Sequence, residues 1–279
     1  MKFVSYLLSN SPSYGILTDK GIIDLKSQLG EQYPDLKTLI GCKKGLEKAK
    51  SCAKDATLID ARYVTYLPVI PNPDKILCVG MNYAEKKQEF DATDKAFALF
   101  IRFADSQAGH LTHLLKPAVT EEFDYEGELA VIIGKPCFRV SEEEAHQYIA
   151  GYSCYMDGSV RDWQHAWFTA AKNWPKTGAF GPCLTTIDEI DNFDELTIKT
   201  YLNKQMVQSD VLGNMVHKVP EIIAYLSSFT QLSAGDVIIT GSPGGVGKKR
   251  NPPLFMKSGD IIEVEIEKIG HLINTVIAE

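Results

Sequence analysis

The segment Phe123-Asp124-Tyr125-Glu126-Gly127-Glu128-Leu129-Ala130-Val131-Ile132-Ile133-Gly134 sets the architecture. Its second half is an apolar, β-branched run closed by glycine, which reads as a buried strand. Its first half carries two glutamates two positions apart. Residues spaced by two in a strand point to one face, so Glu126 and Glu128 project side by side. Adjacent carboxylates beside a core repel each other unless a cation neutralises them. Asp157 ends a second apolar run, Gly151-Tyr152-Ser153-Cys154-Tyr155-Met156, and so also follows residues expected to be buried. Three carboxylates with no Cys or His nearby select a hard ion: Mg²⁺ or Mn²⁺, with Ca²⁺ as a third option, and water in the open positions. The alternative is a solvated strand end bearing ordinary surface acids.

Working outward, KILCVGMNY at 75–83 reads as a buried strand ending in a glycine turn. Residues 84–100 carry mixed charge and are expected to be helical and mobile. Ser141 followed by Glu144 fits a helix-capping box, with Gly151 as the helix end. Pro220 near the start of VPEIIAYLSSFTQ (219–231) and apolar residues at helical spacing predict a helix there. DVIIT at 236–240 is a short buried strand, and IIEVEIE and HLINTVI form a C-terminal hairpin across Lys268-Ile269-Gly270. The fragments SAGDVII and KSGDIIE are two similar turns, not a duplication.

Toward the N-terminus, MKFVSYLL and YGILTDKGIIDL read as strands, and the lysine-rich GLEKAKSCAKDA (45–56) as an exposed helix. Three prolines within Leu67–Pro73 favour an extended connector. The expected organisation is a small N-terminal α+β domain at 1–67, a Pro-rich linker at 68–74 and a larger domain at 75–279. Strands outnumber helices without regular alternation, so the fold class is α+β dominated by sheet.

The chain has 279 residues and 44% apolar content, enough for a large core. No apolar run of about 18 residues predicts a membrane-spanning helix, and the N-terminus lacks a signal-cleavage pattern. The net charge of −7 comes without a basic stripe, which argues against nucleic-acid binding. The six cysteines form no CxxC pair and read as free, mostly buried thiols of a cytoplasmic protein. His110 and His113 (HLTH) read as loop polarity, because no further cluster completes a zinc set.

Beyond the acids, Arg161 offers a planar fork for a carboxylate, and Gln164 a neutral donor and acceptor. Lys172 sits in a glycine- and proline-punctuated stretch, where a lone lysine is usually solvated. The run Gly241-Ser242-Pro243-Gly244-Gly245-Val246-Gly247-Lys248-Lys249 has the wrong glycine spacing for a Walker A loop, and Lys249 stands where Ser or Thr should be. Its backbone N–H groups can still face an anionic oxygen. No GxSxG elbow or HExxH is present.

Together these motifs resemble the fumarylacetoacetate hydrolase family over roughly 75–279. The resemblance rests on KILCVGMNY, RFADSQAGH, FDYEGELAVIIGK, AGYSCYMDGSVRDWQ, KNWPKTGAFGP, the run GDVIITGSPGGVG and FMKSGDIIEVEIEKIG. It implies a mixed β-sandwich or β-roll catalytic domain, usually in a homodimer. It implies Mg²⁺ or Mn²⁺ on Glu126, Glu128 and Asp157, and substrate contacts from Arg161, Gln164, Lys172 and Ser242, where members commonly have Thr. The family's lid often reads G-x-N-Y-x-x-H-x-x-E, with a His–Glu dyad that activates water. Here Lys86 takes the histidine position and Glu89 remains.

The implied function is metal-dependent chemistry on a small 2-oxo acid through an enolate, with Lys86, Glu89 and Lys172 as catalytic candidates. C–C hydrolysis of an acylpyruvate is the leading expectation. Decarboxylation of an oxaloacetate-like diacid, isomerisation or hydration of an unsaturated 2-oxo acid, and a non-catalytic homologue are the alternatives that Lys86 opens.

Overall fold

The apolar strand predicted after the acids is Gly127–Ile133, and all seven of its residues are buried. Leu129, Val131 and Ile133 pack into one core, and Ala130 and Ile132 into another. A strand covered on both faces needs no polar alternation, which is why this run is continuously apolar. The computed structural model describes residues 1–53, 57–94, 96–165 and 167–279.

Gly127–Ile133 lies within a large mixed sheet. Its order is Leu58–Ile59, Gly21–Asp24, Ser11–Thr18, Lys2–Leu8, Gly178–Thr186, Ile149–Asp157, Gly127–Ile133, Val237–Ile239, Ile76–Gly80 and Ala98–Arg102. Most neighbours are antiparallel, while Val237–Ile239 runs parallel to Ile76–Gly80. A five-stranded sheet, Gln205–Val211, Thr197–Leu202, Ile261–Ile266, Gly270–Ala278 and His113–Lys116, packs across it. Ile198, Ile262, Val264, Leu272 and Val276 share the first core with Leu129 and Val131. The fold is α+β with mixed, largely antiparallel sheets, as expected.

The N-terminal strands join this sheet directly, since Phe3 on Lys2–Leu8 pairs with Leu184 on Gly178–Thr186. Phe3, Leu25, Leu36 and Leu39 then share the second core with Ala130 and Ile132.

Several local expectations change. The segment 123–134 is two strands, Phe123–Asp124 in a small sheet with Ser159–Val160, and Gly127–Ile133. The helix expected over 84–100 spans only Ala84–Glu89, and Ala98–Arg102 is a strand; Lys95 lies outside the described residues. Phe100 pairs there with Cys78, so long-range pairing overrides the local charge pattern. The lysine-rich helix is Lys43–Cys52, and 54–56 lie outside the described residues. Ser141 does precede a helix, Glu142–Ala145, but its side chain caps no backbone N–H. Gly151 is not a helix end but part of the strand Ile149–Asp157, where a Cβ would fall 2.2 Å from the Thr185 carbonyl oxygen.

Candidate active site

Three carboxylates converge where two antiparallel strands meet. Gly127 pairs with Met156, and the Asp157 N–H donates to the Glu126 carbonyl at 2.8 Å. That register sets Asp157 beside Glu126, and the period of two brings Glu128 to the same side. One oxygen from each of Glu126, Glu128 and Asp157 lies within 4.8 Å of the others, and all three residues are buried. Gly127 faces the other way. A Cβ on it would sit 2.0 Å from Thr200 Oγ1, so glycine lets the second sheet close behind the acids.

Four buried cations surround them. Lys172, at the end of the short helix Thr169–Lys172, reaches Glu126 Oε2 at 2.8 Å and also bridges to Asp157. Arg161 starts a 3₁₀ turn; its Nε donates to Asp124 Oδ2 at 2.8 Å, its Nη1 to Gln164 Oε1 at 3.1 Å and its Nη2 to Glu126. Lys86, on the helix Ala84–Glu89, lies 3.1 Å from Glu126 Oε1 and 3.2 Å from Ser242 Oγ. Arg102, ending its strand, donates to Asp157 Oδ1 at 2.5 Å and to Thr177 Oγ1 at 2.9 Å.

The glycine-rich run does face anionic oxygens, and they are the protein's own. Gly241 N–H donates to Glu128 Oε2 at 2.6 Å, Gly245 N–H to Glu89 Oε1 at 2.6 Å and Gly247 N–H to Asp124 Oδ1 at 2.7 Å. Asn82 donates to the Thr240 carbonyl and exchanges hydrogen bonds with the backbone of His217, which fixes the turn leading into the Lys86 helix.

These surroundings pull the acids apart electrostatically. Burial alone would raise the Glu126 carboxyl, yet Arg161, Lys172 and Lys86 hold it well below the usual carboxylate range. Glu128 is driven well above that range by burial and then by the charges of Asp157 and Glu126. Burial lowers the Lys86 ammonium, with Glu126 opposing. Burial would also lower Lys172, but Asp157 and Glu126 raise it and keep it an ammonium.

The donor set fits a hard divalent ion: carboxylate oxygens only, mutually repelling, with Glu128 left in excess of the local cations. Gly80, Met81, Phe100, Gln164 and Phe168 complete the lining, leaving about 30 Å³ of free space.

The structure thus gathers Glu126, Glu128, Arg161, Gln164, Lys172, Ser242 and Lys86 around one cavity, with Asp157 clustered beside Glu126 and Glu128. One local reading needs correction: Lys172 is not a solvated loop lysine but 2% exposed. Lys86, at the lid histidine position, is likewise turned inward and 3% exposed. Both are drawn inward because buried carboxylates need countercharge. Glu89 stands one layer back, held by Gly245. The sequence reading missed Arg102 and Asp124. Asp124 had a signal, since it extends the alternation of Glu126 and Glu128; Arg102 had none, because its partners lie 55 or more residues away.

A family model described as Fumarylacetoacetate (FAA) hydrolase C-terminal matches residues 75–277. A mitochondrial oxaloacetate tautomerase of Rattus norvegicus is 36% identical over 269 residues, covering 92% of this chain and 84% of the relative. A fumarylacetoacetate hydrolase structure from psychrophilic Exiguobacterium antarcticum superposes with a TM-score of 0.86 at 31% identity over 100% of both chains. A maleylpyruvate hydrolase from Sphingobium sp. SYK-6, in complex with manganese(II) and pyruvate, superposes with a TM-score of 0.85 at 27% identity, covering 100% of this chain and 99% of that one.

Proposed function

The chain belongs to the fumarylacetoacetate hydrolase family, and on that premise we propose that it interconverts the enol and keto forms of a small 2-oxo acid of the oxaloacetate type. One observation carries this choice among the family's chemistries. Lys86, in place of the lid histidine, is buried in the cavity against Ser242 Oγ, while Glu89 is turned onto the Gly245 N–H. Among the described residues no histidine lines the cavity. A lysine–hydroxyl pair suits moving a proton better than activating water. The likeness to an oxaloacetate tautomerase supports the same reading.

A divalent cation held by Glu126, Glu128 and Asp157 would supply Lewis acidity at the substrate's 2-oxo oxygen. Arg161 and Gln164 bind substrate oxygens. Lys172 Nζ, kept an ammonium, stabilises negative charge beside them. Lys86 Nζ, whose ammonium burial disfavours, takes the enol hydroxyl proton as the free amine and delivers that same proton to C3, which regenerates the amine. Ser242 Oγ orients Lys86, and Phe100 and Phe168 limit water.

The test follows the decay of enol absorbance of freshly dissolved oxaloacetate with Mg²⁺ or Mn²⁺. We expect acceleration that a chelator abolishes and that Lys86→Met largely removes. Faster cleavage of an acylpyruvate than tautomerisation, or indifference to chelator, overturns the proposal. Hydrolysis remains the second reading for one specific reason: Glu89 Oε2 is buried without a hydrogen-bond partner, where a water could sit.

A further inference from the structure

Tyr152, on the strand that ends at Asp157, lines a second cleft of about 340 Å³. It shares no lining residue with the cavity at the acids. Its walls are apolar, built from Tyr152, Phe193, Leu212, Met215 and Val219. The rings of Tyr152 and Phe193 stand 4.9 Å apart and tilted by 38°, so they offer aromatic surface to an occupant. Tyr152 is 8% exposed, and among the described residues its hydroxyl has no hydrogen-bond partner. Burial, and then the charge of Asp194, push that hydroxyl up to about 12, so it stays a donor. A nearly buried donor left unpaired at the wall of a cleft is a place for a ligand's acceptor.

The rim carries one charge of each sign, on the exposed Lys218 and Asp194. Lys218 Nζ donates to the Gly213 carbonyl, and neither side chain has a partner of opposite charge among the described residues. A simple anion would meet Lys218 and be repelled by Asp194; a simple cation would meet the reverse. A zwitterion satisfies both, and the apolar walls beneath have room for a side chain of leucine or phenylalanine size.

The wall of this cleft also grips the root of the Lys86 helix. Met215 pairs with Tyr83, the Val216 N–H donates to the Asn82 carbonyl at 2.8 Å, and the His217 N–H donates to Asn82 Oδ1 at 2.7 Å. Asn82 and Tyr83 lead directly into Ala84–Glu89. An occupant packed on Met215 therefore holds the segment from which that helix starts.

We infer that the cleft binds a free α-amino acid with a large apolar side chain, and that its occupancy steadies the helix carrying Lys86. The carboxylate pairs with Lys218, the ammonium with Asp194, and the side chain lies against Tyr152 and Phe193. The site stands apart from the oxo-acid reaction and does not depend on it.

Calorimetric titration with L-phenylalanine, with hydrocinnamate, which lacks the amine, and with phenethylamine, which lacks the carboxylate, tests it. The wild type binds one L-phenylalanine per chain, at least about fivefold more tightly than either half-ligand, the size of an ion pair at a protein rim. Lys218→Met brings L-phenylalanine down to the level of phenethylamine, and Asp194→Asn down to that of hydrocinnamate. Both substitutions are at exposed positions and leave the unfolding temperature unchanged. The affinity is the same with and without Mn²⁺, which separates this site from chelation at the acids. Saturating L-phenylalanine slows amide exchange at residues 82–89 at least about threefold. Absence of saturable binding, equal affinity for the three ligands, insensitivity to both substitutions, or unchanged exchange at 82–89 overturns the inference and leaves the proposed function standing.

Discussion

Asp236 and Glu128 are both buried carboxylates, yet their surroundings treat them in opposite ways. Asp236 accepts from the Lys75 N–H and Nζ, each at 2.9 Å, and from the Ser233 N–H at 2.8 Å. Asp24, in the N-terminal region, is similar: burial would raise it, but Tyr6, Ser13 and Ser27 donate to it and hold it low. Each of these acids has its own donors and no rival anion. Glu128 has the Gly241 N–H and two neighbouring carboxylates, and is pushed up. An acid that only holds the fold is matched locally; an acid kept for a ligand is left unmatched.

That contrast can be broken by mutation. Glu128→Gln should lower metal-dependent turnover at least about a thousandfold, because it removes a ligand of the ion that the chemistry uses. Kinetics across a Mn²⁺ series will show it; full retained rate would place Glu128 with the structural acids. Asp236→Ala should behave inversely. Thermal or denaturant unfolding should show a loss of about 3 kcal/mol, since two backbone donors and a lysine lose their acceptor, with Mn²⁺ affinity unchanged.

A buried base sharpens the comparison. His110 Nδ1 accepts from the Ile273 N–H at 3.1 Å, and its ring meets Tyr66 edge-on. Burial, and then His271, lower it to about 4 from 6.5. The native state then binds fewer protons than the unfolded state between these values. Stability should therefore fall as pH drops from about 6.5 to about 4 and level off below, by about 3 kcal/mol. Unfolding curves of the wild type and His110→Asn across that window measure the difference, which should vanish near neutral pH.

The smallest effect has the opposite sign. In metal-free protein Glu128→Gln should raise stability by about 1 kcal/mol, and more as pH rises, because it deletes a carboxyl whose ionisation the folded state disfavours. Glu126→Gln should not, since Arg161, Lys172 and Lys86 would each lose a partner. Differential scanning calorimetry in chelator separates the two.

The acids were legible in the sequence because their signal is local: a spacing of two beside an apolar strand, and an aspartate after another. Arg161 and Gln164 follow Asp157 closely and were found with it. The lysines were named only through family likeness; by local pattern each looked exposed. Their burial depends on carboxylates 40 and 46 residues away, which no window of sequence contains. The strand at Ala98–Arg102 was hidden for a related reason, since its pairing with Ile76–Gly80 is what makes it extended. The same separation hid Arg102.

The turn from Gly241 to Lys248 ties Glu128, Glu89 and Asp124 together through peptide N–H groups alone. Three of those donors are glycines that cannot drift: Gly241 and Gly245 hold positive φ, and a Cβ on Gly247 would fall 1.8 Å from the Leu254 carbonyl oxygen. Change along this loop is therefore confined to the positions between the glycines, such as Ser242, where a new side chain can alter what the cavity presents while the anchorage of the acids stays fixed.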